Sequence, residues 1–228
     1  MTGHAPSALR LVAAAAAALL CAIAGTPLAG CATVLMPTPV GFDTGGADPF
    51  AATPEAARTP PVTVFCASTR GTTPGAPPAR YFNTTRNGSI LRLCELEVGI
   101  GDSGETWDAL LETSRQPGRT DGPAMTLRSL TDYGPLWAGP AKLDPSPGLD
   151  EKVMGRFAEA IDAALAKGTS GNVYVFVHGF NNGFDEVATR FAAFWHAAGR
   201  PGVPLAYTWP AGTTVFRWRT VNSPDSRS

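Results

Sequence analysis

Few side chains in this sequence could do chemistry, and their order along the chain is informative. Of the three histidines, His4 falls in an N-terminal leader, which leaves His178 and His196. His178 opens the loop His178-Gly-Phe-Asn-Asn182, directly after the run Val173-Tyr-Val-Phe-Val177. Ser103, in Gly101-Asp-Ser-Gly104, and Ser170, in Gly168-Thr-Ser-Gly171, are the serines to weigh as nucleophiles. A serine hydroxyl attacks poorly unless a base and an orienting carboxylate stand beside it, and neither serine has identifiable partners of that kind. The loop after the apolar run offers something different. A strand that stops at a Gly- and Asn-rich turn and hands over to a helix leaves backbone N–H groups free above the strand end, where negative charge is stabilised.

The elements that must position this loop can be read around it. Residues 172–177 alternate β-branched and aromatic side chains with no Pro and no charge, which predicts one buried parallel strand. Val187, Phe191, Phe194, Trp195 and Ala198 recur at helical spacing over 186–198, and a second strand is expected over 203–208. Upstream, Leu149, Val153, Phe157, Ile161 and Leu165 form one stripe, with Ser146 as the expected cap, Pro147 in the first turn and Lys167-Gly168 at the end. This α-β-α-β alternation implies a parallel sheet with helices on its faces. Further strands are expected over 61–66, 89–100 and 124–131; the polar Arg92, Glu95 and Glu97 suit an edge or half-exposed strand.

Val-Phe-Val-His178-Gly-Phe-Asn-Asn, a helix and a strand ending Tyr207-Thr-Trp-Pro210 resemble a group of largely uncharacterised bacterial α/β-hydrolases, esterase- or lipase-like in pattern, with a His-Gly-Phe-Asn loop. The resemblance is specific over residues 172–210. It is weaker over Val62-Thr-Val-Phe-Cys-Ala-Ser-Thr-Arg70, which is similar to the family's opening strand. It implies an α/β fold in which this chain forms the N-terminal half of an α/β-hydrolase-type sheet, mostly parallel strands flanked by helices. It also implies that the loop supplies part of an oxyanion hole through the backbone of Phe180, with Asn181 as a second candidate. His178 would shape that loop, because in this fold the base follows the nucleophile and the acid in chain order. Gly179 would be needed by the turn, so a Val there is expected to disturb it.

The same fold needs a Ser on a G-x-S-x-G elbow, then an acid, then a His. No G-x-S-x-G occurs, and residues 211–228 are too few to hold a strand, an elbow, a helix and the rest of a triad. The chain therefore resembles the first half of a catalytic domain, and an ester or lipid substrate would be turned over only with a missing C-terminal half. Three readings stand open: a truncated serine hydrolase, a complete non-catalytic lipoprotein serving as a binding or structural module, and an enzyme of unrelated mechanism. An open half sheet is expected to expose the strand at 205–208 as an apolar edge, with self-association as one relief.

Other patterns carry less. Gly99-Ile-Gly-Asp-Ser-Gly104 fits G-x-G-x-x-G, but its strand is too polar for a dinucleotide site, so a Gly-rich turn is expected. Gly101-Asp-Ser-Gly104 also resembles the nucleophile segment of trypsin-like proteases, an order that needs a His upstream. Two histidines without Cys or carboxylate at ligand spacing predict no metal, and no cofactor is expected. His196 is expected at the boundary of its helix's apolar stripe. Cys66 and Cys94 remain after the leader is removed; a disulfide and two buried thiols on neighbouring strands are both open.

Composition and the N-terminus set the surroundings. A chain of 228 residues, 44% hydrophobic, can bury one core, and a net charge of −1 argues against nucleic acid as a partner. Arg10 precedes an apolar run over 11–24, shorter than the roughly 20 residues of a spanning helix. Leu28-Ala-Gly-Cys31 follows and resembles a bacterial lipobox. That implies a signal peptide over 1–30, a lipid on Cys31 and, since Ala32 is not Asp, attachment to the outer membrane facing the periplasm. Residues 31–61 are rich in Pro and Gly and predict a tether; residues 62–228 are the expected partial hydrolase domain.

Overall fold

The computed structural model describes residues 33–37, 48–86, 90–137, 150–168 and 170–211. The leader and Cys31, the expected cap at Ser146 and Pro147, and residues 212–228 lie outside them. Strand β1 (Val62–Ser68) enters the centre of the sheet, and a small hairpin of β2 (Arg70–Thr72) and β3 (Phe82–Arg86) follows, joined through the short helix α1 (Pro78–Tyr81). Next come β4 (Leu91–Ile100), α2 (Trp107–Arg115), β5 (Met125–Trp137), α3 (Glu151–Leu165), β6 (Val173–Val177), α4 (Phe184–Ala197) and β7 (Val203–Thr208).

The main sheet runs β5-β4-β1-β7-β6. β7 is parallel to both β1 and β6, while β4 is antiparallel to β1 and β5. All strands but β4 thus point the same way, which gives the α/β architecture expected, with helices on both faces. The two-residue period of β1 divides the core. Val62, Val64 and Cys66 face α4, packing with Phe184, Val187 and Phe191, while Phe65 turns to the other face with Val153 and Phe157 of α3. α3 begins later than the sequence suggests: Asp150 is its cap, its Oδ1 accepting the N–H of Lys152 and of Val153.

Three expectations are revised. The run 173–177 is not a buried strand but the edge of the sheet, with Val175 62% and Val177 60% exposed. Conversely, the strand expected at the edge, β7, lies between β1 and β6, and Ala206 is fully buried. The chain leaves β6 through α4 and returns inward, so both edges of β7 gain backbone partners. β4 is likewise interior, and its polar side chains find partners on β5: Arg92 pairs with Asp132 at 2.6 Å and Glu95 accepts the Tyr133 hydroxyl at 2.7 Å.

The described parts of the stretch expected as a tether, 33–37 and 48–61, pack on the domain. Thr33 O accepts Met125 N–H at 2.7 Å, Leu35 N–H donates to Pro123 O at 2.9 Å, and the Leu35 and Phe50 side chains are buried. Two 3₁₀ turns, Pro49–Ala52 and Glu55–Ala57, lead on to β1. Arg200, buried and with φ of 58°, donates to the carbonyls of Ala57, Thr59 and Pro60 and so fastens that approach to the end of α4. Two large apolar side chains and a few carbonyls suffice to dock a segment that is otherwise poor in core residues. The compact unit accordingly starts at Thr33.

Candidate oxyanion loop

β1, β7 and β6 end side by side, and Ser68, Thr208 and His178 at these ends form a buried polar floor. Thr208 donates its hydroxyl to Ser68 Oγ at 2.9 Å, and Ser68 Oγ also accepts Arg70 N–H at 3.2 Å. His178 follows β6 and is 4% exposed. Its Nδ1 lies 2.7 Å from Gly179 O, an atom that can only accept, so Nδ1 carries the proton. Nε2 is then the lone pair, and it accepts the backbone N–H of Trp209 at 3.1 Å. The Trp209 indole stacks on the imidazole at 5.1 Å and donates to His178 O at 3.2 Å. Burial, with the Arg70 guanidinium close by, holds the imidazole below its ordinary pKa of 6.5. A histidine whose lone pair is occupied by a main-chain donor is a strut between β6 and β7, with nothing left over to take a proton from a nucleophile.

The loop's shape comes from its asparagines. Asn181 takes φ of 61°, the left-handed region that Asn tolerates better than most residues. Asn182 Nδ2 donates to Gly179 O at 3.2 Å and to Phe180 O at 2.9 Å. In a planar trans peptide the N–H points opposite to the C=O. Gathering the carbonyls of Gly179 and Phe180 onto Asn182 therefore turns the N–H groups of Phe180 and Asn181 outward, and neither has a hydrogen-bond partner among the described residues. Gly179 matters less than expected: a Cβ there meets open space, and its φ is not positive, so the turn does not depend on glycine.

α4 begins immediately after the loop. Gly183 N–H donates to Glu186 Oε2 at 2.8 Å, which closes one end donor; glycine has no side chain to return the bond. The remaining first-turn N–H groups keep the positive end of the helix dipole beside the outward amides. Arg70 completes the surroundings from below, its Nη2 donating to Asn182 O at 2.9 Å. In the sequence, the one signal for Arg70 is a guanidinium directly beyond an apolar strand.

The serines weighed as nucleophiles are elsewhere. Ser170 precedes β6 and so sits at the opposite end of the strand from the loop, about 17 Å away at roughly 3.3 Å per residue. Ser103 lies in the turn after β4, which also falls at that far end because β4 runs against β1; Arg128 packs over this turn, donating to Gly101 O and Asp102 O at 3.1 Å each. Among the described residues Ser114 does contact a histidine, its Oγ lying 2.8 Å from His196 Nε2. Arg200 Nε donates to His196 Nδ1 at 3.0 Å, so Nε2 carries the proton and donates to Ser114, which passes its own to Leu110 O at 2.7 Å. The proton order is the reverse of what nucleophile activation needs. His196 is 1% exposed, a core residue rather than the boundary residue expected, and burial with Arg200 alongside holds its pKa well below 6.5.

Cys66 and Cys94 stand directly opposite each other on β1 and β4, both buried and both free thiols. Burial pushes the Cys94 thiol well up, with Cys66 beside it adding to the effect. No group of three or more metal-ligating side chains occurs among the described residues, nor does a helix long and apolar enough to cross a membrane.

Residues 155–223 match a family model described as alpha/beta hydrolase of unknown function (DUF900). The match starts within α3 and spans β6, the loop, α4 and β7. It supports an α/β-hydrolase relationship for the chain, in agreement with the mixed, mostly parallel sheet. No curated protein and no solved structure matches the chain.

Proposed function

We propose that this is a lipid-anchored hydrolase-type protein of the cell envelope, held in the outer membrane through Cys31, whose loop 178–182 is an oxyanion hole for serine ester hydrolysis. The outward aim of the Phe180 and Asn181 N–H groups, set from behind by Asn182, is the observation that carries this reading. When an ester carbonyl is attacked, its oxygen gains negative charge. Fixed donors and a helix N-terminus aimed at that oxygen stabilise the tetrahedral state more than the neutral ester. Losing one such donor typically costs about 10²–10³ in turnover.

Attack also needs a nucleophile and a base, and the described residues bring neither to the loop. The full chain alone is therefore expected to show no hydrolysis of p-nitrophenyl butyrate above a heat-treated control, and no serine labelled by a fluorophosphonate probe. Stoichiometric labelling of one Ser, abolished by its change to Ala, would overturn that. A chimera continued by the nucleophile-bearing half of a matching family member should hydrolyse the ester. There Asn182→Ala should lower kcat with little change in KM, because it disturbs donors used chiefly in the transition state. An active chimera indifferent to that change would sink the oxyanion assignment.

A further inference from the structure

Arg70 is a buried charge directly beneath the loop. Its side chain is fully buried, and of its guanidinium only Nη2 is engaged, with Asn182 O at 2.9 Å and His178 Nε2 at 3.5 Å. Nε and Nη1 have no hydrogen-bond partner, and no ion pair reaches the group among the described residues. Other buried guanidinium groups here are well supplied. Arg119 donates to the carbonyls of Thr113, Leu35, Asp121 and Met36, and Arg200 to three carbonyls and His196. Taking a cation out of water without a full set of partners is costly, and an apolar side chain of similar volume is often as stable or more so. Stability does not account for an arginine at this place; its position under the loop suggests what does.

We propose that Arg70 and the loop 178–184 form a binding site for a carboxylate, one oxygen on the outward N–H groups of Phe180 and Asn181 and the Arg70 charge compensating it from behind the loop. The proposal rests on reading the loop as an oxyanion hole and adds the class of ligand, the carboxylic acid that ester hydrolysis releases. Three features converge on negative charge: two amides without a partner among the described residues, the N-terminus of a 14-residue helix, and a buried guanidinium of which Nε and Nη1 are unpartnered. Asp185 is close enough to favour the Arg70 cation, which leaves the site suited to one added negative charge and not two. A phosphate dianion would carry its second charge towards Asp185 and Glu186 in the first turn of α4. Burial lowers the Arg70 pKa only to about 10, so the side chain is a cation at neutral pH.

Titration of the ¹⁵N-labelled full chain with sodium butyrate, against sodium chloride and inorganic phosphate at matched ionic strength, tests this. Saturable shifts of the Phe180 and Asn181 amides are expected with butyrate and not with chloride. The affinity should weaken about ten-fold or more in Arg70→Met and fall between the two in Arg70→Lys, which keeps the charge without the planar fork. Arg70→Met should unfold at the same or a higher temperature than wild type; should it fail to fold, the wild-type and Arg70→Lys titrations still decide. No saturable shift with butyrate, tighter binding of phosphate, or an Arg70→Met affinity equal to wild type would each overturn the proposal. The last outcome would leave the oxyanion-hole reading standing, whereas an inert chimera with butyrate binding intact would remove that reading and keep the carboxylate site.

Discussion

At the scale of single residues, the loop is aimed by atoms on the far side of the peptide plane from those it presents. Asn182 Nδ2 donates only to carbonyls, and its Oδ1 accepts from Arg190 at 3.4 Å, yet this side chain decides where two amides point. Asn182→Ala should cost about 1–2 kcal/mol in thermal unfolding, with amide shift changes confined to the loop and the start of α4. Changes spread through the sheet would argue that Asn182 has a wider structural part. The two buried histidines make a second prediction. Both have folded pKa values below 6.5, so below that pH the unfolded chain binds protons that the folded chain refuses. Their contribution is fully present above about pH 6.5 and is lost as pH falls beneath it, by up to about 1.4 kcal/mol per pH unit for each group. The Tm should drop between pH 7 and pH 5, less steeply in His196→Gln, and a flat profile would contradict the burial. At this scale the sequence showed where His178 stands but not its tautomer, which Gly179 O and Trp209 N–H settle together from two different strand ends. Arg70 stayed without a role because an unpaired donor is a property of surroundings, and sequence lists no surroundings.

Among elements, faces were legible and neighbours were not. The stripes of α3 and α4 came from side-chain period alone, which is a local quantity. Strand order depends on where a crossover returns, and no local pattern records that; hence β6 and β7 exchanged places between expectation and structure. The cap of α3 was misplaced for a related reason, since Ser146-Pro147 and Asp150 both have capping chemistry. The observed order gives a sharp contrast between two substitutions. Val175→Lys, on the open edge strand and 62% exposed, should change stability by no more than about 0.5 kcal/mol and reduce self-association measured by light scattering. Ala206→Lys, fully buried on β7, should not yield folded protein. Equal tolerance of the two would mean that β7, not β6, lies at the edge.

For the whole molecule, the proposed lipid and the docked N-terminal segment would act together. Metabolic labelling with a palmitate analogue should mark the wild type and not Cys31→Ser; equal labelling would remove the anchor from the proposal. The pairing of Thr33 with Met125 then sets a length. Between an acylated Cys31 and the first residue bonded to the sheet there are two peptide links, about 7 Å at full extension. A spacer of thirty residues would let the body wander through a volume of periplasm. With the proposed lipid on Cys31, a leash this short would confine it to a plane, so that collisions with molecules lying in or on the bilayer would outnumber those with solutes, and whatever reaches the loop would be selected first by where it resides.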